Sequence, residues 1–339
     1  MSYADILANA RDKMAPKCKV CRVCDGQGCR FISPGPGGAG SSLGFMRNYQ
    51  QLKKIGIRMD TIYEEGPIDT TVALFGRTFT APVFAAPIAN VAGSYTSAIT
   101  EDEYNHAIVQ GCADAGCAAF TGDGIKAEFF TNPLPHIAAA GVGIPTMKPL
   151  PAELSVPKIR TAEAAGATAL AMDIDAVAFG KLRELGVPVA ARSVSALREI
   201  ISSTSLPFLL KGIMTPQGAI KAAEAGAYGI VVSNHGGRTL EDLPATCDVL
   251  ADIRRAVGTD LHILVDGGFR TGADLFKARA LGAEGILIGR PYAIAAFGGG
   301  VQGVKAYTDM LKAQLEEAMI LAGCAKLDDI SPEHLIQLK

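Results

Sequence analysis

From about residue 80 onward the chain alternates short apolar runs with longer stretches of helical periodicity, and no other feature limits its fold as tightly. Parallel strands need a long crossover between them, usually a helix, so this alternation predicts a parallel sheet. The apolar runs are Val83–Pro87, Ala118–Thr121, Gly143–Met147, Ala169–Ile174, Pro207–Leu210, Gly229–Ser233, Ile263–Val265 and Gly285–Ile288. Helices are expected over Glu101–Ala115, Gln217–Ala225, Asp248–Val257 and Ala273–Leu281, at a longer pattern ending in Glu163–Gly166, and over Gln302–Ala322. Gly166, Gly226 and Gly282 stand where a helix would end in a left-handed cap. Eight such units match an α/β (β/α)8, or TIM, barrel, whereas a doubly wound sheet usually stops at about five to seven strands. The expected organisation is an N-terminal extension over 1–80, the barrel over 81–325 and a tail over 326–339.

Composition narrows the function classes. With 32 basic against 34 acidic residues and a net charge of −2, the chain lacks the basic patch that nucleic acid or an anionic membrane surface requires. The uncharged run Thr78–Thr100 contains Pro82, Pro87, Asn90 and Gly93, so it reads as a buried strand with loops, not a membrane-inserting helix. The first residues show no basic region followed by an apolar core, which places the protein in the cytoplasm. In that compartment eight cysteines stay reduced and form no disulfide framework.

In a barrel of this kind, chemistry gathers where the strands end. The polar residues there are Thr121, Thr146 with Lys148, Asp173 and Asp175, Lys211, Ser233 to Arg238, Asp266 to Arg270, and Gly289 with Arg290. In Ser233-Asn234-His235-Gly236-Gly237-Arg238, a histidine and an arginine three apart on a glycine-softened loop can face one small anion, as base and carboxylate clamp. The bland alternative is a solvated loop. Asp175 suits a partner that orients His235, yet two carboxylates at a strand end could equally cap a helix or bind a cation. Lys211 reads either as a stabiliser of a bound anion or as a lysine snorkelling to water. Asp266-Gly267-Gly268-Phe269-Arg270 and Gly289-Arg290 sit after strands seven and eight, where glycines let backbone N–H groups reach a phosphate. These two loops predict a phosphorylated ligand.

Taken together, Ser-Asn-His-Gly-Gly-Arg at 233–238, Leu-Lys-Gly-Ile at 210–213, Ala-Pro-Ile-Ala at 86–89, Asp-Gly-Gly-Phe-Arg-Thr-Gly at 266–272 and Ile-Gly-Arg-Pro at 288–291 resemble the FMN-dependent α-hydroxy acid oxidase and dehydrogenase family, which includes lactate and glycolate oxidases. The resemblance covers about residues 30–325. It implies FMN in the barrel mouth, with Pro87, Ile88 and Ala89 against the ring, Lys211 at its N1 edge, and Asp266, Gly268, Arg270, Gly289 and Arg290 holding the phosphate. Thr121 and Ser233 join this cofactor-binding set. It further implies that His235 takes the proton of a substrate hydroxyl as the α-hydrogen leaves for flavin N5, with Asp175 behind it and Arg238 on the carboxylate. A small hydroxy acid is the implied substrate, an electron-acceptor protein a candidate partner, and a homo-oligomer the implied assembly.

The chain departs from that family in its substrate pocket. Phe31-Ile32-Ser33 stands where a tyrosine segment is expected, Thr146 replaces a second tyrosine and Ile144 a glutamine. The long segment after strand four is nearly absent, with about twenty residues between Asp175 and the helical pattern at Ser195–Ile201. A redox-neutral isomerase similar to type 2 isopentenyl diphosphate isomerase, and a non-catalytic flavin and metal sensor, are therefore alternative readings.

The extension carries a further signal. Cys18, Cys21, Cys24 and Cys29 have the spacing C-x2-C-x2-C-x4-C, which suits an iron–sulfur cluster or a tetrahedral zinc. The alternative is a flexible thiol patch. Cys112, Cys117, Cys247 and Cys324 read as core residues.

Overall fold

A computed structural model describes residues 2–64 and 66–338 of the chain. The eight apolar runs form the strands of one closed parallel barrel in which each is bonded to the next along the chain. We number them β1 (Val83–Ala85), β2 (Ala118–Thr121), β3 (Ile144–Met147), β4 (Leu170–Asp173), β5 (Phe208–Ile213), β6 (Gly229–Val232), β7 (His262–Asp266) and β8 (Gly285–Ile288). Closure comes from β8 against β1, with Leu287 opposite Phe84 and Ile288 opposite Ala85.

Side chains alternate strictly between two cores. Phe84, Phe120, Ile144, Ala171, Leu209, Val231, Leu264 and Leu287 fill the barrel axis, whereas Val83, Ala119, Leu170, Met172, Leu210, Ile230, Ile263 and Ile286 pack outward under the helices. A strand turns successive side chains to opposite faces. Two residues beyond each axial position, the same face carries Ala86, Gly122, Thr146, Asp173, Lys211, Ser233, Asp266 and Gly289. The layer above the apolar core is thus the polar one. The opposite end is sealed by a hairpin, Val72–Leu74 with Arg77–Phe79, whose Phe75 and Phe79 pack edge-on against Phe84.

Helices begin where the sequence offers caps: Thr100, Ser193, Thr215 and Thr271 each accept a bond from a first-turn N–H. Gly166, Gly226 and Gly282 have positive φ as expected of helix ends. The last helix departs from the sequence expectation, running over Arg290–Leu321 with a break at Gly300 instead of starting at Gln302. Its Gly298 touches the chain of the first helix so closely that a Cβ there would overlap the Ile6 carbonyl. Packing holds this glycine-rich stretch helical against its low propensity.

Two helices of the extension matter for the site: α1 (Tyr3–Met14), which lies along the last helix, and α2 (Leu43–Lys53). Residues 335–337 of the tail pair antiparallel with 55–57 of the extension.

Candidate active site

At the polar end of the barrel lies a cleft of about 440 Å³, walled by Ala86–Asn90, Gly122–Ile125, the ends of β3 to β5, the 235–238 loop, the 266–270 loop and residues 287–290. Segment 33–38 of the extension closes one side.

The loop after β6 is built by its neighbours. Asn234 exchanges two side-chain hydrogen bonds with Asn48 of α2, at 2.7 and 2.9 Å, and accepts from the Gly237 N–H at 3.0 Å. Gly237 has φ +76°, and a Cβ on it would overlap the backbone of Gly44 and Phe45. His235 itself is held at φ +57°, with its N–H on Ser233 Oγ at 2.9 Å. Backbone this uncommon in a non-glycine residue persists where the surroundings over-determine it.

His235 Nδ1 lies 3.1 Å from both carboxylate oxygens of Asp175. A carboxylate only accepts, so Nδ1 carries the proton and Nε2 is left as the acceptor. Phe179 packs edge-on against the ring, centroids 4.8 Å apart. Asp175 reaches His235 because position 212, with φ +104° at an irregularity in β5, is glycine: a Cβ there would stand 2.6 Å from Asp175 Cβ.

Asp173 does something different. One oxygen lies 2.9 Å from Lys148 Nζ and the other 3.0 Å from Lys211 Nζ, with Asp266 a further 3.6 Å from Lys211. All four are buried. Burial works against the Asp173 charge, but Lys148, Lys211 and His235 outweigh it and hold the carboxyl well below its usual range. Burial likewise opposes the Lys211 charge and is outweighed by Asp173, Asp266 and Asp175, which raise its pKa. Asp266 is shifted upward, by burial first, with Lys211 and Ser233 opposing. Asp173, Asp175 and His235 offer three ligand atoms within 4.8 Å of one another, but two lysines already neutralise Asp173.

Three arginines line the opposite part of the cleft. Arg238 donates to the Gly35 carbonyl at 2.7 Å, Arg270 Nε to Cys24 O at 2.9 Å, and Arg290 to Pro36 O and Gly37 O at 2.6 and 3.0 Å. Phe45 lies under the Arg290 guanidinium at 3.7 Å. Among the described residues no carboxylate pairs with any of these side chains. Desolvation, then repulsion from Arg238, pulls the Arg290 pKa down to about 10. Such a cation cluster calls for an anion.

Most of the expected site residues therefore meet in one cleft: Pro87, Ile88, Ala89, Lys211, His235, Arg238, Asp266, Gly268, Arg270, Gly289 and Arg290 all line it. Asp175 stands behind His235. Thr121 and Ser233 lie behind the wall; Thr121 follows the axial Phe120 by one residue, so its side chain takes the other face. Asp266, expected with the phosphate group, is paired with Lys211, which suits a carboxylate better than a like-charged neighbour. Lys148 has a larger place than its strand-end position suggested, and Asn48 is a residue that no motif in the sequence marked.

The chain matches the model of the FMN-dependent dehydrogenase family over residues 31–191 and 187–337. It belongs to that family. It is 50% identical over 134 residues to a peroxisomal (S)-2-hydroxyacid oxidase of Arabidopsis thaliana and 45% identical over 139 residues to an L-lactate oxidase of Alicycliphilus denitrificans. These matches take in 40% and 41% of this chain, and only 37% and 38% of the relatives' own lengths. Among solved structures, mandelate oxidase with 3,3-difluoro-2-hydroxy-3-phenylpropionic acid is 28% identical with a TM-score of 0.77, covering 99% of this chain and 98% of the other. A mandelate oxidase variant with a monooxide FMN adduct scores 0.75, at 28% identity and 98% coverage of both. Neither the isomerase nor the sensor alternative gains support from these relatives.

The cleft suits the family's cofactor. Gly289 has nothing nearer than 3.7 Å to where its Cβ would be, leaving room for a ligand at the backbone. The buried Asp266 Oδ1 has no hydrogen-bond partner, as fits an acceptor awaiting a hydroxyl of a bound molecule. The unpaired arginines meet a phosphate, and the apolar Ala86–Ala89 wall meets a flat ring.

Among the described residues no helix is long and apolar enough to cross a membrane. Cys112, Cys117, Cys247 and Cys324 are buried, as expected of core residues.

Proposed function

We propose that this chain oxidises a small 2-hydroxy acid to the 2-oxo acid with His235 as the base. The observation that carries the reading is the His235–Asp175 pair, its Nε2 left free at a cleft lined by unpaired arginines. FMN, when bound, supplies the two-electron acceptor for the α-hydrogen. Arg270, Arg290, Gly268 and Gly289 would hold its phosphate, Pro87 to Ala89 its ring, and Lys211 its anionic edge.

Arg238 and Lys148 provide cations for the substrate carboxylate, where Phe31 has no hydroxyl and the Thr146 hydroxyl is buried outside the cleft lining. With the carboxylate held, the substrate hydroxyl proton passes to His235 Nε2 and Asp175 stabilises the imidazolium that forms. The eight free thiols are in keeping with a cytoplasmic enzyme. Cys18, Cys21, Cys24 and Cys29 form a candidate metal site beside this cleft.

The test is anaerobic addition of glycolate, lactate, mandelate and longer 2-hydroxy acids to the FMN-loaded protein. One acid should bleach the flavin absorbance, and His235→Ala should slow that bleaching by about 10²–10⁴-fold while keeping FMN bound. A flavin left oxidised by every acid, or a variant as fast as the parent, overturns the reading.

A further inference from the structure

Between the end of α1 and the start of α2 the chain runs from residue 15 to 42 without helix or strand. Structureless segments of this length are uncommon inside a compact domain unless something other than secondary structure holds them. Few apolar side chains are available for that purpose: Val20 is buried, but Val23 and Phe31 are exposed. What the segment has in quantity is cysteine.

The four thiols are all unpaired, and Cys18, Cys24 and Cys29 are half-buried. They fall within the single stretch 18–29, with Cys18 packed against the hydrophobic core and Cys29 Sγ on the Gly26 carbonyl. Gly28 completes the enclosure, since a Cβ there would collide with Cys21 Sγ. The backbone is pinned around them by Cys18 N–H on Met14 O at 3.0 Å and by Arg11 on Val20 O at 3.2 Å.

The spacing along the chain selects the kind of metal. Cys18, Cys21 and Cys24 follow one another at the two-residue intervals of ferredoxin-type cluster ligands, whereas zinc ligands come more often as two separated pairs.

The same segment holds the cleft. Its carbonyls at Cys24, Gly35, Pro36 and Gly37 receive Arg270, Arg238 and Arg290, so the conformation of the cysteine loop sets all three guanidinium groups. We propose that Cys18, Cys21, Cys24 and Cys29 ligate an iron–sulfur cluster, and that the loop folded on it holds the three arginines of the cleft in position. The cluster arrives with its irons and sulfides already joined, and each thiol loses its proton to solvent as its sulfur binds an iron, so that ligation changes no oxidation state. This goes beyond the oxidation of a hydroxy acid and rests on that reading only in taking FMN as the ligand of the arginines.

The experiment uses the full chain purified anaerobically, with iron, acid-labile sulfide and zinc measured per chain and flavin affinity measured by fluorescence titration, without any substrate. Iron and sulfide together in stoichiometric amounts are expected, and dithionite should bring up a paramagnetic cluster signal. Stoichiometric zinc without sulfide, or no metal at all, overturns the proposal. Cys21→Ser and Cys24→Ser should lose the cluster and bind FMN at least tenfold more weakly. Should either variant fold poorly, removing iron from the parent protein with a chelator gives the same comparison. FMN affinity unchanged after cluster loss overturns the coupling. Because no turnover is involved, a failed hydroxy acid panel leaves this result standing, and the converse holds too.

Discussion

Asp173 shows how one side chain decides the character of the cleft. Its single negative charge lies between Lys148 and Lys211, and with Asp266 also beside Lys211 no carboxylate of this buried group is left without a cation. A carboxylate entering the cleft meets Lys148 or Arg238 before it meets an acid without a partner. Lys148→Met should therefore raise KM for the hydroxy acid roughly ten- to a hundredfold, which is about 1.5–3 kcal/mol for one charged hydrogen bond. Its kcat should fall much less. Steady-state kinetics separates the two constants, and a KM that does not move would place the substrate carboxylate on Arg238 alone. At the same scale Asp175 and Asp173 could not be told apart by spacing, although they take opposite duties. Two-residue alternation would put both on the axis, but the strand ends at Asp173 and Asp175 lies in a 3-10 helix over Ile174–Ala178. What divides them is Gly212, which admits Asp175 to the histidine, and the position of Lys148, which draws Asp173 away.

Among elements, α2 and the loops that follow β6 and β7 form one unit. Asn48 of α2 bonds Asn234 and accepts from the Thr246 N–H at 3.2 Å, while its own carbonyl lies 2.5 Å from where a Cβ on Gly268 would be. Gly268 also has φ +90°, a conformation that costs a side chain strain. Gly268→Ala should destabilise the protein by about 1–3 kcal/mol and weaken FMN binding, because either α2 or the loop must give way. Denaturant midpoints and flavin fluorescence titration check the two effects. If alanine is accepted at no cost, the loop is not clamped by α2 as described. The element boundaries were largely legible, since caps such as Thr100, Thr215 and Thr271 and terminal glycines such as Gly166 and Gly282 act locally. The last helix was less so, because its glycines are held by packing against α1.

For the molecule as a whole, the barrel closes over a dry apolar layer and beneath a buried charged one. Lys211 ties that charged layer together, and its folded-state pKa is raised above the ordinary lysine value of about 10.4. A raised lysine pKa contributes stability that is fully present below the unfolded value and is lost as pH climbs through the folded one. The gap in melting temperature between the parent and Lys211→Met should accordingly be constant up to about pH 10 and narrow above it. Thermal melts across that range measure it; a gap that widens with pH would mean that the lysine is buried uncharged. Eight strands, their order and the residues at their mouth could be read from the chain alone, because the direction of a side chain on a strand follows from its neighbours two residues away. That His235, its loop and the glycines after the seventh and eighth strands would line the mouth was legible for the same local reason. Which carboxylate serves His235, and that carbonyls near residue 30 hold arginines at 238, 270 and 290, depended on segments up to about 250 residues apart coming together. Contacts between such distant segments leave no periodic trace in sequence, so only the closed barrel with its extension folded across the mouth decided them.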